Sequence, residues 1–456
     1  MRIFTFLLTL DQINDIILAT IYFWGCVMKR RLTQNLKIWK NLDVERMPLL
    51  LYGARQIGKT YLLKEFGANE YKNTVYLNFE EEPALKYLFS DSVDPRKLIP
   101  KIEKYFNSQI LPGATLLIFD EIQSCNRALT SLKYFCENAP EYDVIGAGSL
   151  LGVHISSGEY SFPVGKVITQ TMYPMCFEEF LWESDKTVFA DTIKECFDTN
   201  APMEQALHES LTALYLEYLI VGGMPLAVVK YFKNDNALNY LDVQKIIIDT
   251  YVSDMGKYAD KSQSVKIIGA YDSIVPQLAK ENRKFQYKMI AKGARASLFG
   301  DSIDWLVRAG VVIKCEKITR GDAPPNICKD VSAFKLYMAD TGLTSYRANL
   351  TMDKKSTFDN TFMGGITENY VATALTANGY ELFYWESDAS AEVDFVIVKN
   401  GDVIPIEVKT GDNTRSYSLN SYMKKYNPAY AIRISGKNFG FANGVKFVPF
   451  YAAYLI

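Results

Sequence analysis

Histidine is close to missing from this chain. Its 456 residues include two, His154 and His208, too few for a zinc site built on histidines. Cysteine is sparse and scattered. Seven residues (Cys26, Cys125, Cys136, Cys176, Cys196, Cys315 and Cys328) make an odd number with no CxxC, which reads as reduced thiols of a cytoplasmic protein rather than a disulfide frame. Charge of one sign is not in surplus: 50 Lys and Arg face 52 Asp and Glu, a net charge of −2, so no overall basicity advertises nucleic acid. A local basic face remains compatible with that balance. Uninterrupted membrane-length apolar runs are lacking too. Met1 to Val27 comes nearest, but Asp11 and Asp15 interrupt it, each costing roughly 2.5–3.5 kcal/mol at a bilayer centre. The apolar run left after Asp15 is shorter than the ~20 residues a span needs. Residues 1–27 are therefore expected to be an upstream translation extension or a loosely packed helix, without stable membrane insertion. The folded chain is expected to start at Met28, ahead of Lys29, Arg30 and Arg31.

What is present is the composition of a globular chain, 48% hydrophobic and 22% charged, with length for two or three domains at ~150 residues each. Apolar runs at 48–52, 75–79 and 115–119, and a fourth beginning at 143, alternate with helical stretches such as Leu129 to Glu137. That alternation predicts an α/β fold with a doubly wound parallel sheet over 28–175. The pattern then turns helical over 176–260. Helices followed by an apolar strand at Val311 to Ile313 suggest a winged-helix-like region over 261–345. From 346 to 456, a helix at Ile366 to Asn378 leads to strands at 381–385, 392–398 and 403–409. A helix near 416–425 and a strand at 429–434 complete a second α/β domain.

Gly53, Ala54, Arg55, Gln56, Ile57, Gly58, Lys59 and Thr60 match GxxxxGK[ST] in full, between a strand and a helix that Tyr61 continues. Glycines let backbone N–H groups curl around phosphate, and the helix N-terminus adds its positive dipole. Lys59 is expected on the β- and γ-phosphates of ATP and the Thr60 hydroxyl on Mg²⁺. The apolar strand Leu116 to Phe119 ends in Asp120 and Glu121, at the edge of a parallel sheet where ligands bind. Asp120 would hold the metal through water, and Glu121 would deprotonate the attacking water, a role worth roughly 10²–10⁴ in rate. Ser149, after the next strand, suits a contact to the γ-phosphate or simply a serine in a glycine turn. Pro225, in Gly222-Gly223-Met224-Pro225, suits a rigid edge against adenine or a plain interhelical turn.

These motifs, with the Asp120-Glu121-Ile122-Gln123 strand end and Tyr173 to Phe180, resemble prokaryotic AAA-type ATPases fused to a C-terminal domain of unknown function. The resemblance runs from about Met28 to the C-terminus. It implies a sensor role for Ser149 and an adenine contact at the glycine–proline turn. It also implies an arginine where this chain has Lys166, which lacks the planar fork for bidentate contacts.

Glu368 on a helix, Asp394 in a strand, and Glu407 and Lys409 at the end of the next strand form a second constellation. Residues two apart in a strand share a face, so Glu407 and Lys409 point together. Asp394 and Glu407 would bind Mg²⁺ or Mn²⁺, and Lys409 would lower the pKa of an attacking water. The order resembles the restriction-endonuclease-like PD-(D/E)xK superfamily, and the bland alternative is a surface ion pair. Lys280, Arg283, Lys284, Lys288, Lys292 and Arg295 add a locally basic run. The expectation is an ATP-hydrolysing switch, self-associating, whose C-terminal module binds or cleaves DNA or RNA. The alternative is an ATPase with an inactive nuclease-like domain used for protein contacts or signalling.

Overall fold

The computed structural model describes residues 28–42, 46–149, 162–233, 238–257, 261–322, 324–352, 360–387, 391–410 and 417–456. The expectation for residues 1–27 lies outside them. The chain divides into two compact units. One comprises residues 1–50, 58–147 and 163–168; the other comprises 51–57, 148–162 and 169–456.

A five-stranded sheet is built from β1 (Leu49–Tyr52), β2 (Asn73–Asn78), β3 (Thr115–Asp120), β4 (Asp143–Ala147) and β5 (Ile168–Thr171), in the order β2-β3-β4-β1-β5. β3 is parallel to both β2 and β4. Its six residues are all buried, which explains its continuous apolar sequence: a central strand has both faces covered. Phe119 meets Phe79, Phe89 and Phe135 edge-on at ring separations of 5.6–6.1 Å. Gly146 sits where a side chain would collide: a Cβ there would stand 2.9 Å from Leu50 and 3.0 Å from Ile122. This is the parallel α/β sheet that the alternation predicts.

In the second unit, helices Phe177–Glu183, Thr187–Thr199, Gln205–Val221, Pro225–Lys233, Tyr240–Lys257, Lys261–Leu278 and Ala296–Arg308 precede an eight-stranded mixed sheet. Its strands are β6 (Val312–Ile318), β7 (Lys329–Met338), β8 (Phe383–Glu386), β9 (Glu392–Lys399), β10 (Asp402–Lys409), β11 (Ala431–Ser435), β12 (Gly440–Ala442) and β13 (Val445–Pro449). They run in the order β12-β13-β11-β10-β9-β8-β6-β7. The sheet differs from the expected division at 345/346. The β6–β7 hairpin is no separate wing, because β6 pairs antiparallel with β7 on one side and parallel with β8 on the other. Val312, Cys315 and Ile318 are buried along β6. Helix Asn360–Ala377 carries Glu368, while β9 and β10 carry Asp394, Glu407 and Lys409. Among the described residues, no helix is long and apolar enough to cross a membrane.

Candidate functional site

The nucleotide motif is spread over both units, so its two parts are taken in turn. In the first, Gly58 adopts φ 91° and opens helix Lys59–Glu70, a backbone that glycine reaches without strain. Lys59 is buried, and Thr60 Oγ1 donates to Asp120 Oδ2 at 2.6 Å. Two oxygen donors suited to Mg²⁺ thus stand side by side, a hydroxyl and a carboxylate, and the donor set fits that ion. Asp120 is fully buried. Burial pushes its pKa up, as does the Glu121 charge, while Thr60 and Tyr76 pull the other way.

Tyr76 was not singled out by the motif. Its hydroxyl donates to the same Oδ2 at 2.9 Å and accepts from Asn78 Nδ2 at 3.1 Å, and Lys64 lies 3.9 Å from its ring centroid. The only available signal was an aromatic two residues before the end of β2, whose Asn78 pairs in register with Asp120. Glu121 has φ 48°, and its carboxylate accepts from the Gln123 side chain. Tyr61 is turned from the motif, its hydroxyl accepting from Met28 N at 3.0 Å. Lys166 pairs with Glu137 at 3.2 Å on a half-exposed face.

In the second unit, Gly53 has φ 147°, and a Cβ there would stand 2.4 Å from the Met172 carbonyl oxygen. Only glycine fits. Ala54 and Ile57 are buried, while Gln56 takes φ 63°. Arg55 Nε lies 3.1 Å from Asp254 Oδ2 and donates to Ser149 Oγ at 3.3 Å. The glycine–proline turn is held from within: Gly223 N donates to Asp340 Oδ2 at 2.7 Å, and Met175 N donates to Gly223 O at 2.7 Å. Pro225 is buried and begins helix Pro225–Lys233. These contacts account for the turn as an interhelical junction.

Glu368, the helical member of the C-terminal constellation, is bound by a residue that sequence reasoning passed over. Lys335, from β7, is completely buried; its Nζ lies 3.0 Å from Glu368 Oε1 and 2.6 Å from Glu392 Oε1. Arg283 binds the other Glu368 oxygen, and Tyr337 OH also donates to Glu368. Burial alone would raise the Glu368 pKa, but Lys335 and then Arg283 outweigh it and hold the carboxyl down to about 2. Asp394 goes the opposite way. Burial first, then the Glu368 charge, push it up to about 7, against Lys335 and the Val408 amide that donates to Oδ2 at 2.8 Å. Glu407 is buried, 3.5 Å from both Lys409 Nζ and Arg433 Nε. Lys409, expected to lower the pKa of an attacking water, is 41% exposed.

A second divalent ion does not fit this arrangement. Glu368 already has Lys335, Arg283 and Tyr337, and Glu407 already has two cations beside it. Among the described residues, no group of three or more His, Cys, Asp or Glu could hold a metal ion. Of the two acids expected to hold the ion, Glu407 has Lys409 and Arg433 beside it, and Asp394 accepts from the Val408 amide. Two of the six basic residues at 280–295 are likewise spent, Arg283 on Glu368 and Lys284 on Glu386. Lys280, Lys288, Lys292 and Arg295 are exposed.

Residues 45–181 match a family described as an AAA domain, and the chain carries an AAA-type ATPase domain there. Residues 212–354 and 363–453 match two further families, each described as a domain of unknown function. No curated protein matches the chain. Among solved structures, it is similar to a Walker-type ATPase of Pyrococcus abyssi at 16% identity, with 71% of this chain and 96% of that one covered and a TM-score of 0.41. It is also similar to the ORC2 protein of Aeropyrum pernix at 14% identity, with 77% and 96% covered and a TM-score of 0.32. The RuvB branch-migration motor of Thermotoga maritima follows at 15% identity, with 62% and 86% covered and a TM-score of 0.28.

Proposed function

We propose that this ATPase is a molecular switch whose C-terminal module binds nucleic acid. The observation that carries the nucleotide half is the Thr60–Asp120 hydrogen bond at the head of the helix that follows the phosphate loop. In this reading residues 53–58 wrap the phosphates with backbone N–H groups, and Lys59 neutralises the β- and γ-phosphates. Thr60 and Asp120 would hold Mg²⁺, which supplies charge neutralisation on the phosphates. Tyr76 keeps the Asp120 carboxylate aimed at Thr60. Glu121 takes the proton of the attacking water.

The nucleic-acid half rests on Lys280, Lys288, Lys292 and Arg295, four exposed cations within sixteen residues. Binding rather than cutting is favoured because Glu368 and Glu407 are already matched by internal cations, which also favours an inactive nuclease-like relic. Self-association strengthened by ATP belongs to the same reading, since P-loop ATPases often take a positive finger from a neighbour.

The test is ATP turnover with and without DNA or RNA, in Mg²⁺ and then Mn²⁺, with cleavage scored in the same tubes. Slow basal turnover, stimulated by nucleic acid without cleavage, is the expected result. Metal-dependent cleavage lost on Asp394→Ala would overturn the relic reading. Turnover indifferent to nucleic acid, with no binding in a gel-shift titration, would overturn the nucleic-acid half. Light scattering with and without non-hydrolysable ATP reads the assembly, and a monomer in both would exclude it.

A further inference from the structure

Two consecutive residues of the phosphate loop are held by one face of helix Tyr240–Lys257. Gln56 Nε2 donates to Thr250 Oγ1 at 3.3 Å, and Tyr251 OH donates to the Arg55 carbonyl oxygen at 3.1 Å. Arg55 Nε lies 3.1 Å from Asp254 Oδ2. Thr250 and Asp254 are one helical turn apart and so reach the loop together. Asp254 is buried, its side chain 5% exposed, and Arg55 is 18% exposed. The one arginine of the loop is therefore turned to a buried carboxylate, with the Ser149 hydroxyl on the same Nε.

We propose that Asp254 sets the preference between nucleoside triphosphate and diphosphate by holding the Arg55 guanidinium. The proposal rests on the phosphate-loop reading above. A guanidinium gains its strongest hydrogen bonds from carboxylate or phosphate oxygens, so a phosphate bound in the loop competes with Asp254 for it. Moving Arg55 takes a guanidinium 3.1 Å away from a buried carboxylate, which is unfavourable. A diphosphate offers too little charge to offset that loss. The terminal phosphate of ATP adds its own charge and three acceptor oxygens, and Ser149 stands beside Arg55 as the second polar partner. Asp254 thus keeps Arg55 parked until a triphosphate arrives, and helix Tyr240–Lys257 gives up one of its three loop contacts when it does.

The experiment is titration of the full chain with Mg²⁺ and either ADP or non-hydrolysable ATP. Asp254→Asn keeps the shape and removes the charge that holds Arg55. It is expected to tighten the triphosphate on the order of tenfold while ADP stays within about threefold. Arg55→Met removes the competing cation and is expected to erase the preference between the two nucleotides. Because each single change leaves or creates a charge mismatch, the double variant R55M/D254N is the safeguard: it removes both charges together and is expected to match R55M. A triphosphate-to-diphosphate ratio equal to wild type in D254N and in the double variant would overturn the proposal. Failure of the wild-type chain to bind either nucleotide would overturn the phosphate-loop reading itself.

Discussion

Lys59→Ala is expected to abolish ATP turnover by weakening nucleotide binding on the order of a hundredfold or more, whereas Glu121→Gln is expected to leave binding intact and trap ATP. The two residues differ in what they meet. Lys59 is buried at the first position of helix Lys59–Glu70, where its ammonium would make charge-assisted hydrogen bonds to two phosphates. Its loss removes ground-state binding together with transition-state stabilisation, so affinity and rate fall together. Glu121 touches no phosphate in this scheme. Exchanging its carboxylate for an amide removes a base and spares the cradle, which predicts turnover down by roughly 10²–10⁴ with affinity within about threefold. The Gln123 amide donates to Glu121, and after Glu121→Gln the side-chain carbonyl can still accept it, though less strongly than a carboxylate. Equilibrium binding of a fluorescent ATP analogue, read beside phosphate release, separates the two effects. Wild-type hydrolysis in both variants would remove these residues from the site.

What the sequence made legible follows from range. β1, β3 and β4 are short apolar runs closed by glycine or acid, and the phosphate loop is eight contiguous residues, so local pattern sufficed. Asp120 could be placed from its strand alone. Tyr76 could not, because its hydroxyl reaches Asp120 only through the register that pairs Asn78 with Asp120. β7 was missed for a related reason. Lys329, Asp330, Ser332 and Lys335 break any apolar alternation, and Lys335 is buried only because Glu368 and Glu392, dozens of residues later, meet it. The same distance hid the true place of the β6–β7 hairpin, whose pairing of Glu316 with Phe383 crosses more than sixty residues. Asp254 sat in a helix that was expected, but its contact with Arg55 spans almost two hundred residues. Motif-scale chemistry is written locally; the partners that tune it are not.

Lys335→Met is the substitution expected to damage the fold most, and its result also tells a structural cluster from a metal centre. The side chains of Lys335 and Glu368 are each 1% exposed, and Glu392 is 33% exposed. Burial lowers a lysine pKa, but the charges of Glu368, Glu392 and Asp394 overcome it and hold this one protonated. Methionine keeps most of the apolar stem and removes the cation. Glu368 then retains Arg283 and the Tyr337 hydroxyl, but one of its oxygens loses its positive partner inside the protein. Breaking a buried pair from one side costs about 3–5 kcal/mol, and Arg283 on the other Glu368 oxygen keeps the expected loss at the lower end of that range. Urea unfolding of the full chain, followed at the transition of the C-terminal unit, should show a loss of that size. A divalent ion offers the discriminating control. Were the cluster a metal site with Lys335 merely nearby, millimolar Mn²⁺ would stabilise the wild-type chain through Asp394 and Glu407. With internal cations already in place, added Mn²⁺ should leave the C-terminal transition of the wild type unmoved. A Lys335→Met loss below about 1 kcal/mol, or Mn²⁺ stabilisation abolished by Asp394→Ala, would overturn this account.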